Sequence, residues 1–427
     1  MNAFPRIATV NQQFKAPSLD SIAKALKKQA SCHSGLLTAL SNKRIAVAVG
    51  SRGISRIDKI VQGVVAHLKS VGAHPIVVPA MGSHGGSTSK GQAKILAGYG
   101  VTEDVVDAPI ISSTESVEIG STADGVAVHT DRVAFESDGI VLINRIKPHT
   151  DFKGKVESGL MKMIAVGLGN IEGANTFHQS AAIRGYEHLI LTKGRVLINS
   201  GKLIMGVALI ENAYHETAHL EFIPAATLEK REQELLVTAK KLMPSLPFEK
   251  LDILVIDRIG KELSGSGMDP NITGRWFKLN SVWQDKPDIM RIVVLDLTEA
   301  SGGNAIGIGL ADFCSGRVVE KIDHRVTYLN AITSRNLFPG HIPLHFPTDQ
   351  ETLGQAFASL AGNRTPREIR LARIRDTLNL TTIEASEALL TELEENPAVS
   401  HISQLHNMTF SPEGSLHPIQ ERRTANE

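Results

Sequence analysis

Only two cysteines occur in the 427 residues, Cys32 and Cys314, far apart in the chain. That excludes a disulfide framework and a cysteine-rich zinc site. Aromatic residues make up only 4%, which argues against a platform for stacking nucleic-acid bases. Charge of one sign is missing too: 45 basic residues face 45 acidic ones. No large field therefore draws the chain to nucleic acid or to an anionic membrane. No apolar run approaches the roughly eighteen residues of a membrane span. The N-terminus MNAFPRIATV has no basic stretch followed by a long apolar one. The expectation is a soluble, cytoplasmic protein with no nucleic-acid or membrane partner.

What remains is ordinary globular usage, with 42% hydrophobic and 21% charged residues over a length that allows two cores. The 36 glycines cluster after apolar runs. Ile45–Val49 reads as a buried parallel strand, Ile57–Leu68 has helical spacing with Gly72 to close it, and Pro75–Val78 is the next strand. This is a βαβ unit. Ligands in such sheets bind beyond the carboxyl ends of the strands, where Gly50-Ser51-Arg52-Gly53 and Gly82-Ser83-His84-Gly85-Gly86 fall. Gly139–Arg145 and Leu203–Leu209 are further strands, and Leu228–Leu242 is a long amphipathic helix stopped by Pro244 and Pro247. Ile253–Asp257 opens a second unit, followed by the loop GKELSGSGMDPNITGR and a strand at Ile292–Leu297. Thr365–Leu378 reads as a basic helix and Ile383–Glu395 as another helix with an acidic end. The fold class is α/β, with two α/β domains, mostly parallel sheets and an active-site cleft between the domains. Residues 1–246 form the first domain and 247–396 the second, with the tail 397–427 packing back on the first.

Three segments concentrate chemistry. His84 sits among glycines that let backbone approach a ligand, or else it belongs to a plain surface loop. His149 follows a proline at a strand end, in a loop crowded by Lys147, Asp151, Lys153 and Lys155. An imidazole there can take and return a proton. Lys162 is flanked by Leu160, Met161, Met163 and Ile164, an apolar setting that suits a nucleophilic amine as well as a snorkelling one. His178 stands sixteen residues on, past GLGNIEGAN, as a metal ligand or as a satisfied core histidine. Their co-occurrence favours the functional readings.

Taken together, PAMGSHGGST, RIKPHTDFKG, ESGLMKMIAVGLGNIEGA and GKELSGSGMDPNITGR resemble the nickel-dependent lactate racemase family. The resemblance implies two α/β domains, a cleft, and a nickel-pincer nucleotide, a pyridinium mononucleotide that holds nickel through two sulfurs and a ring carbon. It implies that Lys162 binds this cofactor covalently and that His178 completes the nickel coordination. His84 and His149 match the two catalytic histidines. Ser51 and Arg52 match the cofactor-side first loop, although the acidic residue expected just before Arg52 is absent. Asp269, Thr273 and Arg275 lie where substrate is bound, with Arg275 or Arg52 as the clamp on a carboxylate. The implied activity is racemisation or epimerisation at C2 of a 2-hydroxy acid by hydride transfer, with separate maturation enzymes as partners.

Departures in the loop Asp269–Arg275, with Thr150 and Asp151, favour a substrate more polar than lactate, such as a sugar acid or a hydroxy-dicarboxylate. Two other readings stand beside this one. A pyridine-nucleotide dehydrogenase would share the strands and glycine turns, but no strand–GxGxxG–helix with a distal acidic residue is present. A non-catalytic ligand-binding homologue would share the fold alone.

Overall fold

A computed structural model describes residues 4–50, 53–278 and 281–419. The chain divides into two compact units: Lys15–Met243, and Met1–Phe14 together with Pro244–Glu427. Strand β1 (Arg6–Gln12) belongs to the latter.

The unit Lys15–Met243 carries β2 (Arg44–Val49), β3 (His74–Pro79), β4 (Ser116–Ser121), β5 (Ala127–Asp131), β6 (Gly139–Arg145), β7 (Leu203–Glu211) and β8 (Thr217–Pro224). Five of these form one sheet in the order β3-β2-β6-β7-β8, and β4 pairs with β5 as a separate hairpin. The pairs β2–β3, β2–β6 and β6–β7 are parallel, and β8 runs antiparallel to β7. The apolar run of β2 follows from burial on both faces. Ile45, Val47 and Val49 pack with Ile57, Ile60, Val61, Val64, Val65 and Leu68 of the helix Ile57–Ser70. Ala46 and Ala48 point the other way, into a core with Leu160, Met161, Ile164, Phe177 and Leu197. Because β3, β2 and β6 are parallel neighbours, the loops carrying His84, Gly50 and His149 leave the same edge of the sheet.

The other unit contains β9 (Lys250–Ile256), β10 (Arg275–Lys278), β11 (Ser281–Gln284), β12 (Asp288–Val294), β13 (Phe313–Ser315), β14 (Leu344–Phe346), β15 (Leu371–Asp376), β16 (Asn379–Ser386), β17 (Val399–Ile402) and β18 (His406–Asn407). Its mixed sheet has the order β14-β13-β12-β9-β15-β16-β1-β17, with β18 also on β1. The first five strands are parallel, and β16, β1 and β17 are antiparallel to their neighbours.

Several sequence expectations are corrected here. Thr365–Leu378 is not a helix: it holds β15 (Leu371–Asp376), whose Arg373 is neutralised within the sheet. Arg373 is 3% exposed and bonds Asp257 and Glu384. Ile383–Glu395 begins inside β16, and its helical part is a 3-10 turn over Glu387–Leu389 followed by the short α-helix Leu390–Glu394. The first strand and the tail both belong to the second unit rather than the first. β1 lies between β16 and β17 in that unit's sheet because its Ile7, Ala8 and Val10 find their burial there. The division of the chain falls at Met243/Pro244. Cys32 is exposed and Cys314 buried, both as free thiols. Among the described residues no helix is long and apolar enough to cross a membrane.

Candidate active site

Lys162 closes the short helical turn Leu160–Lys162, which widens into a π-helical turn over Met163–Gly167, with the Leu168 N–H donating to the Met163 carbonyl at 2.8 Å. Wide turns of this kind recur at functional sites. Leu160, Met161, Met163 and Ile164 are all buried, so the amphipathic break falls at Lys162, which is half-buried. The turn is anchored from two sides. Asn144, at the end of β6, donates to the Gly159 carbonyl at 2.8 Å. Glu232, from the helix Leu228–Leu242, accepts from the Met161 N–H at 2.9 Å. Gly159 is glycine because a Cβ there would lie 2.3 Å from the Glu232 carboxylate. Glu232 is fully buried, which pushes its carboxyl up to about 7.

His149 is 8% exposed and sits in a loop organised by a second buried carboxylate. Glu157 accepts from the His149 N–H at 2.7 Å and from the Gly154 N–H at 3.1 Å, and Lys240 pairs with it at 2.6 Å. Lys240 and Glu232 belong to the same helix, so Leu228–Leu242 braces both the His149 loop and the Lys162 turn. The result is contact between the His149 Nε2 and the Lys162 amine. The other ring nitrogen, Nδ1, accepts from the Asp151 N–H at 3.0 Å.

His178 lies on the helix Asn170–Arg184. Its Nδ1 is buried without a hydrogen-bond partner. Burial, then the nearby charges of Lys162 and Lys193, lower its pKa to about 4, so the ring is neutral. A neutral imidazole with a buried, unpartnered ring nitrogen has the chemistry of a metal ligand. A row of rings runs from His149 to His178. Phe152 lies 4.5 Å from His149, Tyr186 stacks on Phe152 at 5.1 Å, and Phe177 lies 5.9 Å from Tyr186 and 5.6 Å from His178. Burial and the Asp151 charge push the Tyr186 phenol up to about 12. Lys193 is wholly buried, donates to the Thr176 hydroxyl at 3.1 Å, and is lowered to about 8 by burial.

The His84 turn joins this assembly through backbone. Gly82 adopts a left-handed φ of 58° and donates to the Gly167 carbonyl at 2.8 Å, docking the turn on the segment after Lys162. The His84 side chain is exposed. Buried Gln92 holds the turn from below, donating to the Gly82 carbonyl at 2.9 Å.

One unit thus carries His84, His149, Lys162 and His178. Ser51 and Arg52 lie outside the described residues. Asp269, Thr273 and Arg275 belong to the other unit. Asp269 caps the turn Pro270–Thr273, accepting from the Asn271 N–H at 2.9 Å. Thr273 is fully buried. Arg275, expected as a carboxylate clamp, instead holds its own loop. Its guanidinium bonds Asp312 at 2.6 Å and the carbonyls of Leu310 and Ile289, each at 2.9 Å. Sequence reasoning missed Glu157, Glu232, Lys240, Lys193, Phe152 and Tyr186. The one available signal was Glu232, an acidic residue on the apolar stripe of its helix.

Among the described residues, no three His, Cys, Asp or Glu side chains gather into a metal-binding group. Residues 6–188 match the family described as the lactate racemase N-terminal domain. No curated protein matches the chain. Among solved structures, the lactate racemase apoprotein from Thermoanaerobacterium thermosaccharolyticum matches with a TM-score of 0.52 at 13% sequence identity, covering 88% of this chain and 99% of that one. That likeness shows a shared α/β fold. The match over residues 6–188 makes that segment similar to the lactate racemase N-terminal domain.

Proposed function

We propose that this chain is a racemase or epimerase that inverts C2 of a 2-hydroxy acid with a nickel-pincer nucleotide. The observation that supports this most is the conjunction of an amine in contact with a buried imidazole (Lys162 and His149) and a second, neutral imidazole with a buried, unpartnered ring nitrogen (His178).

The residues present fit the cofactor. Lys162 offers the amine for covalent attachment, and His178 Nδ1 offers one neutral donor to a metal whose remaining donors the nucleotide brings. When bound, the group would supply hydride-acceptor chemistry at C2. The chain's own work is proton transfer and orientation. His149 and His84 exchange the hydroxyl proton, one taking it and the other giving it, and their roles swap with the direction of reaction. A well-placed proton transfer contributes roughly 10²–10⁴-fold. The Phe152 ring packs against the His149 imidazole and is itself stacked on Tyr186.

The substrate reading, a 2-hydroxy acid more polar than lactate, rests on the loop Asp269–Arg275. There Asp269 and Arg275 each make bonds within their own unit, so the substrate comparison carries the decision. The test uses full-length chain loaded with cofactor by the maturation enzymes. Intact mass should show an adduct that Lys162→Ala lacks. Chiral chromatography should show interconversion of the two C2 configurations, with kcat/KM higher for malate or gluconate than for lactate. An adduct surviving in Lys162→Ala, or loaded protein that inverts no 2-hydroxy acid, would overturn the proposal. Lactate as the best substrate would overturn its polar-substrate part.

A further inference from the structure

We infer that, before any cofactor is attached, His149 donates from Nε2 to the ε-amine of Lys162 and so holds that amine in its unprotonated, reactive form. The inference rests on the reading of Lys162 as the attachment residue and adds a second task for His149, in attachment itself.

What matters is which ring nitrogen carries the hydrogen. The Asp151 N–H points at His149 Nδ1 from 3.0 Å, so Nδ1 is an acceptor there and bears no hydrogen. The Asp151 carboxylate, which would favour hydrogen on Nδ1, stands 3.9 Å away, beyond hydrogen-bonding distance. The 3.0 Å contact therefore decides the tautomer. A neutral imidazole with a bare Nδ1 carries its hydrogen on Nε2. A flipped ring would put carbon where Nδ1 and Nε2 now make their contacts and would lose both. Nε2 is in contact with the Lys162 nitrogen. An ammonium has three donors and no lone pair, so it cannot receive this bond, whereas a neutral amine can.

The amine so held can attack an acyl-type carbon. Its lone pair lets go of the Nε2 hydrogen and forms the C–N bond, the leaving group departs with its bonding electrons, and the surplus proton of the nitrogen goes to that leaving group. Once acylated, the nitrogen has no basic lone pair, and the hydrogen bond from Nε2 is lost. His149 is then released for the hydroxyl proton of substrate.

Two measurements on full-length, cofactor-free chain test this. Nitrogen-15 spectra of histidine-labelled protein, with His149 assigned by its absence in His149→Gln, should show Nε2 protonated and Nδ1 bare. A ring protonated on Nδ1 overturns the inference. Acetylation by N-acetoxysuccinimide, followed by peptide mass mapping, should modify Lys162 in competition with exposed Lys155 and Lys241. His149→Phe keeps an aromatic ring but removes the donor, and should lower the Lys162 rate relative to Lys155 by roughly tenfold, the equivalent of one hydrogen bond. His149→Gln, whose amide can donate, should recover part of the rate. An unchanged ratio in His149→Phe overturns the inference. Neither measurement involves cofactor or substrate. Loaded enzyme that fails to racemise leaves both results standing, and a failed labelling result leaves the racemase proposal standing.

Discussion

His178 keeps a buried Nδ1 without a partner, which costs the folded state roughly 1–3 kcal/mol. In the proposed function that nitrogen is the one that meets nickel. His178→Phe should therefore raise the melting temperature of cofactor-free protein while abolishing retention of nickel after loading and dialysis. A variant that keeps nickel at wild-type stoichiometry would remove His178 from the metal site. Lys193 is a parallel case that involves a charge. Burial lowers it from 10.5 to about 8, so at neutral pH the folded protein carries a charge it would rather lose. A change of one in pKa is worth about 1.4 kcal/mol, so the penalty is on the order of 3 kcal/mol. The unfolded chain binds the proton more tightly, so stability rises as pH climbs from about 8 to about 10.5. Lys193→Met should stabilise cofactor-free protein at neutral pH by roughly 1–3 kcal/mol. That gain should shrink across the same window in urea melts. A gain independent of pH would mean that packing, not charge, is responsible.

The helix Leu228–Leu242 illustrates how one element sets a site it does not line. Through Glu232 it caps the Lys162 turn, and through the pair Lys240–Glu157 it holds the backbone of His149. Glu232 is raised from 4.5 to about 7, so the folded state takes up a proton there that the unfolded chain does not. Its contribution to stability is accordingly lost as pH rises from about 4.5 to about 7, on the order of 3 kcal/mol in all. Glu232→Gln keeps an oxygen for the Met161 N–H and should flatten that slope, leaving the protein more stable above neutrality. Urea unfolding at a series of pH values reads this directly, and an unchanged slope would remove Glu232 as its source. Gly159→Ala attacks the same joint by volume, because the new Cβ meets the carboxylate. It should lower formation of the Lys162 adduct by about tenfold or more, a loss of roughly the worth of one hydrogen bond, as read by intact mass. Gly98→Ala, at a glycine with open space around it, should not. Equal adduct yields would show that the turn does not depend on the cap.

At the scale of the whole chain, the second unit depends on the first few residues of the sequence. β1 pairs with β16 on one side and with β17 and β18 on the other, and its apolar residues are almost fully buried. Removing it would leave strands with unpaired backbone and open a slot in the core, whereas Lys15–Met243 has its own sheet and its own two hydrophobic cores. Deletion of residues 1–14 should make the region from Pro244 onward sensitive to protease and leave a resistant fragment spanning Lys15–Met243. A truncated chain whose C-terminal half stays resistant would show that β1 is dispensable.

The local pattern of the chain was enough for the first βαβ unit and the parallel strands, and it singled out His84, His149, Lys162 and His178, which fall in one unit. Apolar runs, helical spacing and glycine turns are short-range signals, and they survive folding unchanged. Tertiary structure alone decided the rest. Arg373 sits in a basic stretch that reads as an exposed helix face, but Asp257 and Glu384, both brought to it by the sheet, neutralise it there. Arg275 looks free to bind a carboxylate until Asp312 and three carbonyls are placed around it. The tautomer of His149 depends on an N–H two residues away and on a lysine thirteen residues away, and no spacing rule brings those together. Residue types reveal which chemistry is available. Which lone pair is left for it depends on every polar group being either satisfied or held open, and only the complete packing determines that.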